Sequence, residues 1–213
     1  MELNNWTKDE IRRTKLAFMH MARHLMPGFM INDQNRQVIN DLFCYFHRLE
    51  GGTLDVSKGL WLEGPVGTGK SSLMRIFSEH LRRYWNDETF RIYNCHDIVA
   101  QFSSKREGVD SLDQYTHNKF GYQPGRKVTM CFDEMGRESI PANSFGLKLN
   151  VMEYILYTRY SFFQQEGTLT HVTTNIDAEK TEVLYGDYIR DRRAEMFNIV
   201  AVTGESWRNH SKK

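Results

Sequence analysis

The chain has 213 residues, with 28 Lys and Arg against 27 Asp and Glu, so its net charge of +1 neither demands nor excludes a nucleic-acid partner, and any basic footprint must be local. Its three cysteines, Cys44, Cys95 and Cys131, form no C-x-x-C pair; the odd count gives no disulfide framework and fits a reducing cytosol, and no zinc site is legible. The start, Met1-Glu2-Leu3-Asn4-Asn5-Trp6, lacks a basic region and an apolar core, and no later window approaches the length of a membrane span, which predicts a soluble cytoplasmic protein without a membrane partner. A chain of this size buries about 70% of the surface its unfolded form exposes, so one α/β domain with a small appendage is expected.

Thr7-Lys8-Asp9-Glu10 is a capping box that opens a helix closed by Pro27-Gly28, with Ile11, Phe18, Ala22 and Leu25 facing one way and Arg12, Arg13, Lys15 and Arg23 on a solvated face. A second helix is predicted from about residue 32 to residue 49, with Val38, Ile39, Leu42, Phe43, Phe46 and Leu49 at helical spacing and Gly51-Gly52 ending it. The apolar run Gly59-Leu60-Trp61-Leu62 reads as a strand. It leads directly into Gly64-Pro65-Val66-Gly67-Thr68-Gly69-Lys70-Ser71-Ser72, which matches G-x-x-x-x-G-K-[ST]. In such a loop glycines let backbone N–H groups turn towards phosphates, the lysine reaches the β- and γ-phosphates, and the hydroxyl ligates magnesium. The required helix follows, with Leu73, Ile76, Phe77 and Leu81 on one stripe.

Residues 90–94 alternate as a second strand ending at Asn94. Residues 103–126 are polar and turn-rich, and their charges, Lys105, Arg106, Glu107, Asp110, Asp113, Lys119 and Arg126, followed by Lys127, suggest a solvated insertion rather than a nucleic-acid contact. Val128-Thr129-Met130-Cys131-Phe132 is a buried-type strand delivering Asp133-Glu134 at its C-terminal end, the edge where open α/β sheets bind ligands. A helix is predicted from about 147 to 165, then a strand over 169–174 that presents Asn175 and holds His171 in a structural role. Short helical pieces carry Arg190, Arg192 and Arg193, a last strand runs from 198 to 203, and the tail Ser211-Lys212-Lys213 is expected to be disordered.

Alternating strands and helices imply a parallel doubly wound sheet: an α/β P-loop NTPase with five strands and helices on both faces. ATP hydrolysis needs the phosphates held, their charge neutralised, a water aimed and transition-state charge stabilised. Gly64 to Ser72 supply the cradle, Ser71 and Asp133 the magnesium ligands, Glu134 a general base for the attacking water, and Asn175 a hydrogen bond to the γ-phosphate or that water.

The P-loop, Cys131-Phe132-Asp133-Glu134, Thr173-Thr174-Asn175 and above all Ile189-Arg190-Asp191-Arg192 followed by Val202-Thr203-Gly204-Glu205-Ser206-Trp207-Arg208 resemble the DnaC/IstB-type AAA+ ATPases, from about Ile31 to Arg208. The resemblance implies an AAA+ ATPase domain over 31–213 after an N-terminal helical extension over 1–30, without a C-terminal helical lid. It also implies a homo-oligomer formed on ATP or DNA binding, with ATP at subunit junctions and Arg192 as a finger reaching the neighbour's γ-phosphate. Arg190 is a weaker finger candidate, Arg208 a second phosphate sensor or a surface residue, and Asn94 a polar restraint on Glu134. The implied function is an ATPase acting on single-stranded DNA, as a replicative helicase loader or primosome-type accessory, with an IstB-like transposition helper partnered by a transposase as the alternative. A nucleotide-gated scaffold and a small-molecule kinase are the readings from other classes; the kinase would need an acceptor pocket and an arginine-rich lid.

Overall fold

The computed structural model describes residues 3–84, 89–104, 108–116 and 128–204. The first helix, α1 (Lys8–Leu25), is opened by the capping box: the Thr7 N–H donates to Glu10 Oε2 at 2.7 Å while the Glu10 N–H donates to Thr7 Oγ1 at 3.3 Å. Phe18 and Ala22 are buried as expected, whereas Leu25, in the last turn, is 36% exposed. The second helix, α2 (Arg36–Phe46), begins later and ends earlier than its apolar pattern suggests. Asn32 and Asn35 explain the late start: each side-chain oxygen accepts a backbone N–H from the other residue, at 3.1 and 2.9 Å, so a local turn outcompetes helix there. At the other end Arg48 takes φ 50°, and Leu49 leaves the helix to bridge Asn4.

The remaining elements are β1 (Gly59–Glu63), α3 (Lys70–Tyr84), β2 (Arg91–Asn94), α4 (Cys95–Phe102), a 3-10 turn (Gly108–Leu112), α5 (Asp113–Thr116), β3 (Met130–Met135), β4 (Ala142–Ser144), β5 (Leu147–Leu149), α6 (Val151–Glu166), β6 (Thr170–Thr174), α7 (Ala178–Met196) and β7 (Phe197–Ala201). Five strands form one parallel sheet in the order β2-β3-β6-β1-β7. Successive side chains of a strand point to opposite faces. Leu60 and Leu62 accordingly enter the apolar layer with α1, α2 and α3, and Trp61 enters the layer with α4, α6 and α7. No helix among the described residues is long and apolar enough to cross a membrane.

Three sequence expectations need correction. The start of the helix predicted from residue 147 is instead the second strand of an antiparallel hairpin, β4 with β5. Consecutive left-handed residues at its tip, Phe145 (φ 51°) and Gly146 (φ 86°), match the twist of a two-residue hairpin turn, and α6 starts only where Asn150 caps it. The short helical pieces near residue 190 are one helix, α7, bent at Gly186 (φ 83°, ψ 166°), a conformation open to glycine. Within 103–126, residues 108–116 are not a solvated insertion, because Leu112 and Tyr115 are buried in the core. Lys105, Arg106, Glu107, Lys119, Arg126 and Lys127 lie outside the described residues, as do the tail and Glu205 to Arg208.

Two buried polar groups hold this arrangement in place. The fully buried Arg159 donates to Thr170 Oγ1 at 2.7 Å and to the carbonyls of Leu169, Val128 and Tyr115 at 2.9, 3.0 and 3.3 Å, which joins α6 to the starts of β3 and β6. His171 has the structural role expected of it: its Nδ1 accepts the Leu60 N–H at 3.1 Å, so the ring is neutral. Burial lowers the pKa of His171 to about 3 and of His47 and His80 to about 4. An unfolded histidine takes up its proton near pH 6.5, so these rings contribute stability that is complete above that pH and is lost as pH falls towards their folded values. The melting temperature should therefore be flat from pH 8 to 7 and fall steadily from pH 6.5 to 4; a midpoint equal at pH 7 and pH 5 would contradict the neutral buried rings.

Candidate nucleotide-binding site

β1 ends at Glu63 and α3 begins at Lys70, so the six intervening residues must turn the chain sharply at the C-terminal edge of the sheet. Gly67 (φ 90°) and Gly69 (φ 92°) take backbone conformations that side chains disfavour. Gly64 is excluded from carrying a side chain for another reason: a Cβ there would lie 2.2 Å from the Val202 carbonyl oxygen, just beyond β7. Thr68 is buried and its hydroxyl donates to the Pro65 carbonyl at 2.9 Å, while Lys70 Nζ donates to the carbonyls of Gly64 and Pro65, each at 2.7 Å. Burial lowers the lysine's pKa, opposed by the charges of Asp133 and Glu134. The ammonium is thus held at the loop's mouth, facing two carboxylates.

Opposite this loop, β3 is irregular. Its ladder with β6 shifts between Phe132 and Met135, and Glu134 adopts φ 60°, uncommon for a residue with a side chain. In a regular strand Asp133 and Glu134 would point to opposite faces; the shift re-aims Glu134 towards the cavity. Thr173 fills the gap: its hydroxyl donates to Asp133 Oδ1 at 2.5 Å and accepts the Glu134 N–H at 3.0 Å. The Glu134 carboxylate accepts from Arg137 Nη1 at 3.0 Å and from Asn94 Nδ2 at 3.4 Å, so Asn94 does stand beside it on the neighbouring strand. Arg137 carried no sequence signal, being one arginine in a polar loop.

These elements enclose a cavity of about 290 Å³. Val66, Gly67, Gly69, Lys70, Ser71 and Ser72 line one side, and Glu134, Thr173, Thr174 and Asn175 the other. A smaller apolar recess continues beside it between Phe29, Asn35, Thr68 and Leu73, and Met26, just after α1, borders both. Sequence reasoning missed Met26, Phe29 and Asn35, since nothing in their own pattern announces a ligand.

The donor set suits a triphosphate with magnesium. The N-terminus of α3 offers backbone N–H groups and a positive dipole end, and Lys70 adds a cation. Ser71 and Asp133 provide two hard oxygen donors, and magnesium characteristically takes one or two such protein ligands plus phosphate oxygens and waters. Among the described residues no cluster of three or more His, Cys, Asp or Glu would hold a metal alone.

Arg192 does not line this cavity. Its Nη1 donates to Glu195 Oε2 at 3.1 Å, and its guanidinium lies 4.7 Å from the Tyr160 ring centre and 5.2 Å from that of Tyr188. Arg190 pairs with Glu182 and Asp191. Arg193 turns inward, stacked 5.0 Å over Trp61 and ion-paired with Glu63. Three arginines within four positions therefore have three different surroundings, which a motif alone cannot distinguish.

Replacing Lys70 by Ala removes the only lysine among the residues lining the cavity. Loss of charged hydrogen bonds of this kind should weaken binding of a fluorescent ATP analogue by roughly 10- to 100-fold; unchanged affinity would mean that the cavity is not a phosphate site.

No protein-family model matches the sequence, and no curated protein does. The structure, however, is similar to solved ones. The DnaC helicase loader aligns with a TM-score of 0.56 at 16% identity over 84% of this chain and 96% of that chain. DnaI aligns with a TM-score of 0.57, again at 16% identity, over 84% of this chain and 86% of that chain. The replication initiator DnaA, bound to AMPPCP and single-stranded DNA, aligns with a TM-score of 0.56 at 13% identity over 84% of this chain and 49% of that chain. Likeness at such low identity is one of architecture, and what is shared with DnaC, DnaI and DnaA is the fold, here a five-stranded parallel α/β sheet with the P-loop following β1.

Proposed function

We propose that this chain is an ATP-hydrolysing AAA+ protein of the DnaC/IstB type that acts on DNA as a homo-oligomer, as a replicative helicase loader or primosome-type accessory. The observation that carries the reading is the separation of two halves of one chemistry. Lys70, Ser71, Glu134 and Asn175 line a single cavity, which Asp133 meets through its hydrogen bond to the lining residue Thr173, while Arg192 sits outside it on α7. The proposed ATPase domain is 31–213, with residues 1–30 as an extension whose helix packs on α3 through Phe18.

In this reading the loop from Gly64 to Gly69 and the start of α3 hold the phosphates, and Lys70 exchanges its loop carbonyls for β- and γ-phosphate oxygens. Ser71 and Asp133 would hold magnesium, which when bound neutralises phosphate charge. Glu134 accepts the proton of the attacking water, and Asn175 orients that water or the γ-phosphate. Asn94 and Arg137 fix the carboxylate's direction meanwhile. Arg192 of a neighbouring copy stabilises the transition state, and a group of this kind contributes about 10³ to 10⁵ in rate. The helicase-loader and primosome role, single-stranded DNA and the helicase partner draw on the structural likeness to DnaC, DnaI and DNA-bound DnaA.

Glu134→Gln should bind the ATP analogue normally but lose turnover, by about 10² or more, as expected for a missing general base. Arg192→Ala should show the same pair of effects. Mixing the two variants under assembly conditions should restore part of the phosphate release, because one junction type then contains both groups; mixtures that co-assemble without recovery would defeat the shared-site reading. Sizing with ADP, with a non-hydrolysable ATP analogue and with single-stranded DNA should show growth only with the triphosphate analogue or DNA, and a particle of one size throughout would argue against assembly. Retention of a hexameric helicase in a pull-down supports loading, whereas retention of a transposase supports the IstB-like alternative.

A further inference from the structure

The segment that follows Glu134 ends in a buried acid that the chemistry above does not use. Gly136 (φ 95°) turns the chain, and Glu138, only 8% exposed, folds back beneath it. Glu138 Oε2 accepts the N–H groups of Gly136 and Arg137 at 2.8 and 3.0 Å, and Oε1 accepts the hydroxyl of the fully buried Tyr185. Burial raises the phenol's pKa well above its ordinary range, so Tyr185 remains the donor. A carboxylate taken out of water is costly unless hydrogen-bond donors replace the water, and three donors meet this one. Apolar side chains at both positions would fill the same space without the cost, so the pair needs a reason beyond packing.

The position of Tyr185 supplies that reason. It immediately precedes Gly186, where α7 bends, and a Cβ placed on Gly186 would meet nothing within 4 Å. The bend is thus a conformational joint rather than a close-packing site. Beyond it α7 carries Arg192, and its last turn returns to the P-loop strand through Arg193 and Glu63. On the near side Tyr185 is tied through Glu138 to the loop bearing Arg137, which pairs with Glu134. We propose that Glu138 and Tyr185 are positioning residues: their buried hydrogen bond sets the direction in which α7 leaves Gly186, and so where Arg192 meets a neighbouring copy. The proposal rests on the shared-site reading above.

The test uses the full chain in mixed assemblies, with the Glu134→Gln and Arg192→Ala pair as control. Tyr185→Phe removes one oxygen. It should bind the ATP analogue within about twofold of the unaltered protein, since Tyr185 does not line the cavity. Its turnover should fall about 10- to 100-fold, the cost of a misplaced reacting group. Mixed with Glu134→Gln, which donates an undisturbed finger to the Tyr185→Phe site, it should recover. Mixed with Arg192→Ala, whose intact site must take its finger from Tyr185→Phe, it should not. Glu138→Ala should behave like Tyr185→Phe in both mixtures, so the result does not depend on one variant folding. Recovery with Arg192→Ala, or turnover equal to the unaltered chain in both Tyr185→Phe and Glu138→Ala, overturns the positioning role. If the control pair itself fails to recover, the shared site falls first and takes the positioning role with it, which separates the two failures.

Discussion

β6 lies between β1 and β3, and the site depends on that placement. The strand comes late in the chain, yet it pairs in parallel with both earlier strands, so three C-terminal strand ends stand side by side. Loops leaving adjacent parallel strands on the same edge form a crevice without further design. One wall is the P-loop after β1, the other is Glu134 of β3 with Thr173 of β6 and Asn175 just after it. Thr173 is the physical joint, since its hydroxyl serves Asp133 and the Glu134 backbone together. Pairing β3 directly with β1 would have left those carboxylates with no such partner.

Within this frame nearly every charge that matters has a partner on its own chain. Lys70 rests on carbonyls of the loop it serves, Glu134 on Arg137 and Asn94, Arg192 on Glu195 and two tyrosine rings, and Arg193 on Glu63. The pairs differ in depth. Arg137 with Glu134 and Arg192 with Glu195 have more than a third of each side chain exposed, whereas Arg193 is 9% exposed. Exposed ion pairs are weak and exchange readily, while buried ones persist because an uncompensated buried charge is costly. The graded exposure leaves Glu134 and Arg192 able to exchange partners, as the proposed chemistry requires, while Arg193 and Glu138 stay fixed in the scaffold.

The N-terminal helix belongs to the same physical unit. Phe18 packs on Phe77 with ring centres 4.6 Å apart, and Met26 reaches the edge of the phosphate cavity. A segment that looks like an appendage in sequence therefore packs on the helix that follows the P-loop and borders the cavity.

The P-loop, the five parallel strands, the acidic pair after an apolar strand and the asparagine after the next were legible in the residues alone, because each is a local pattern whose spacing carries its own physics. The sequence also anticipated Asn94 beside Glu134 and a structural His171. Local pattern failed where side chains competed with helix, at Asn32 and Asn35, and where two left-handed residues built the β4-β5 hairpin, since both outcomes turn on hydrogen bonds and φ values that hydrophobic spacing does not encode. Which of Arg190, Arg192 and Arg193 faces outward, that Arg137 pairs with Glu134, that Met26 borders the cavity and that Glu138 meets Tyr185 emerged from the fold. Those facts are contacts between residues distant in the chain or rotations about a helix axis, and neither exists until the sheet has brought its strands together.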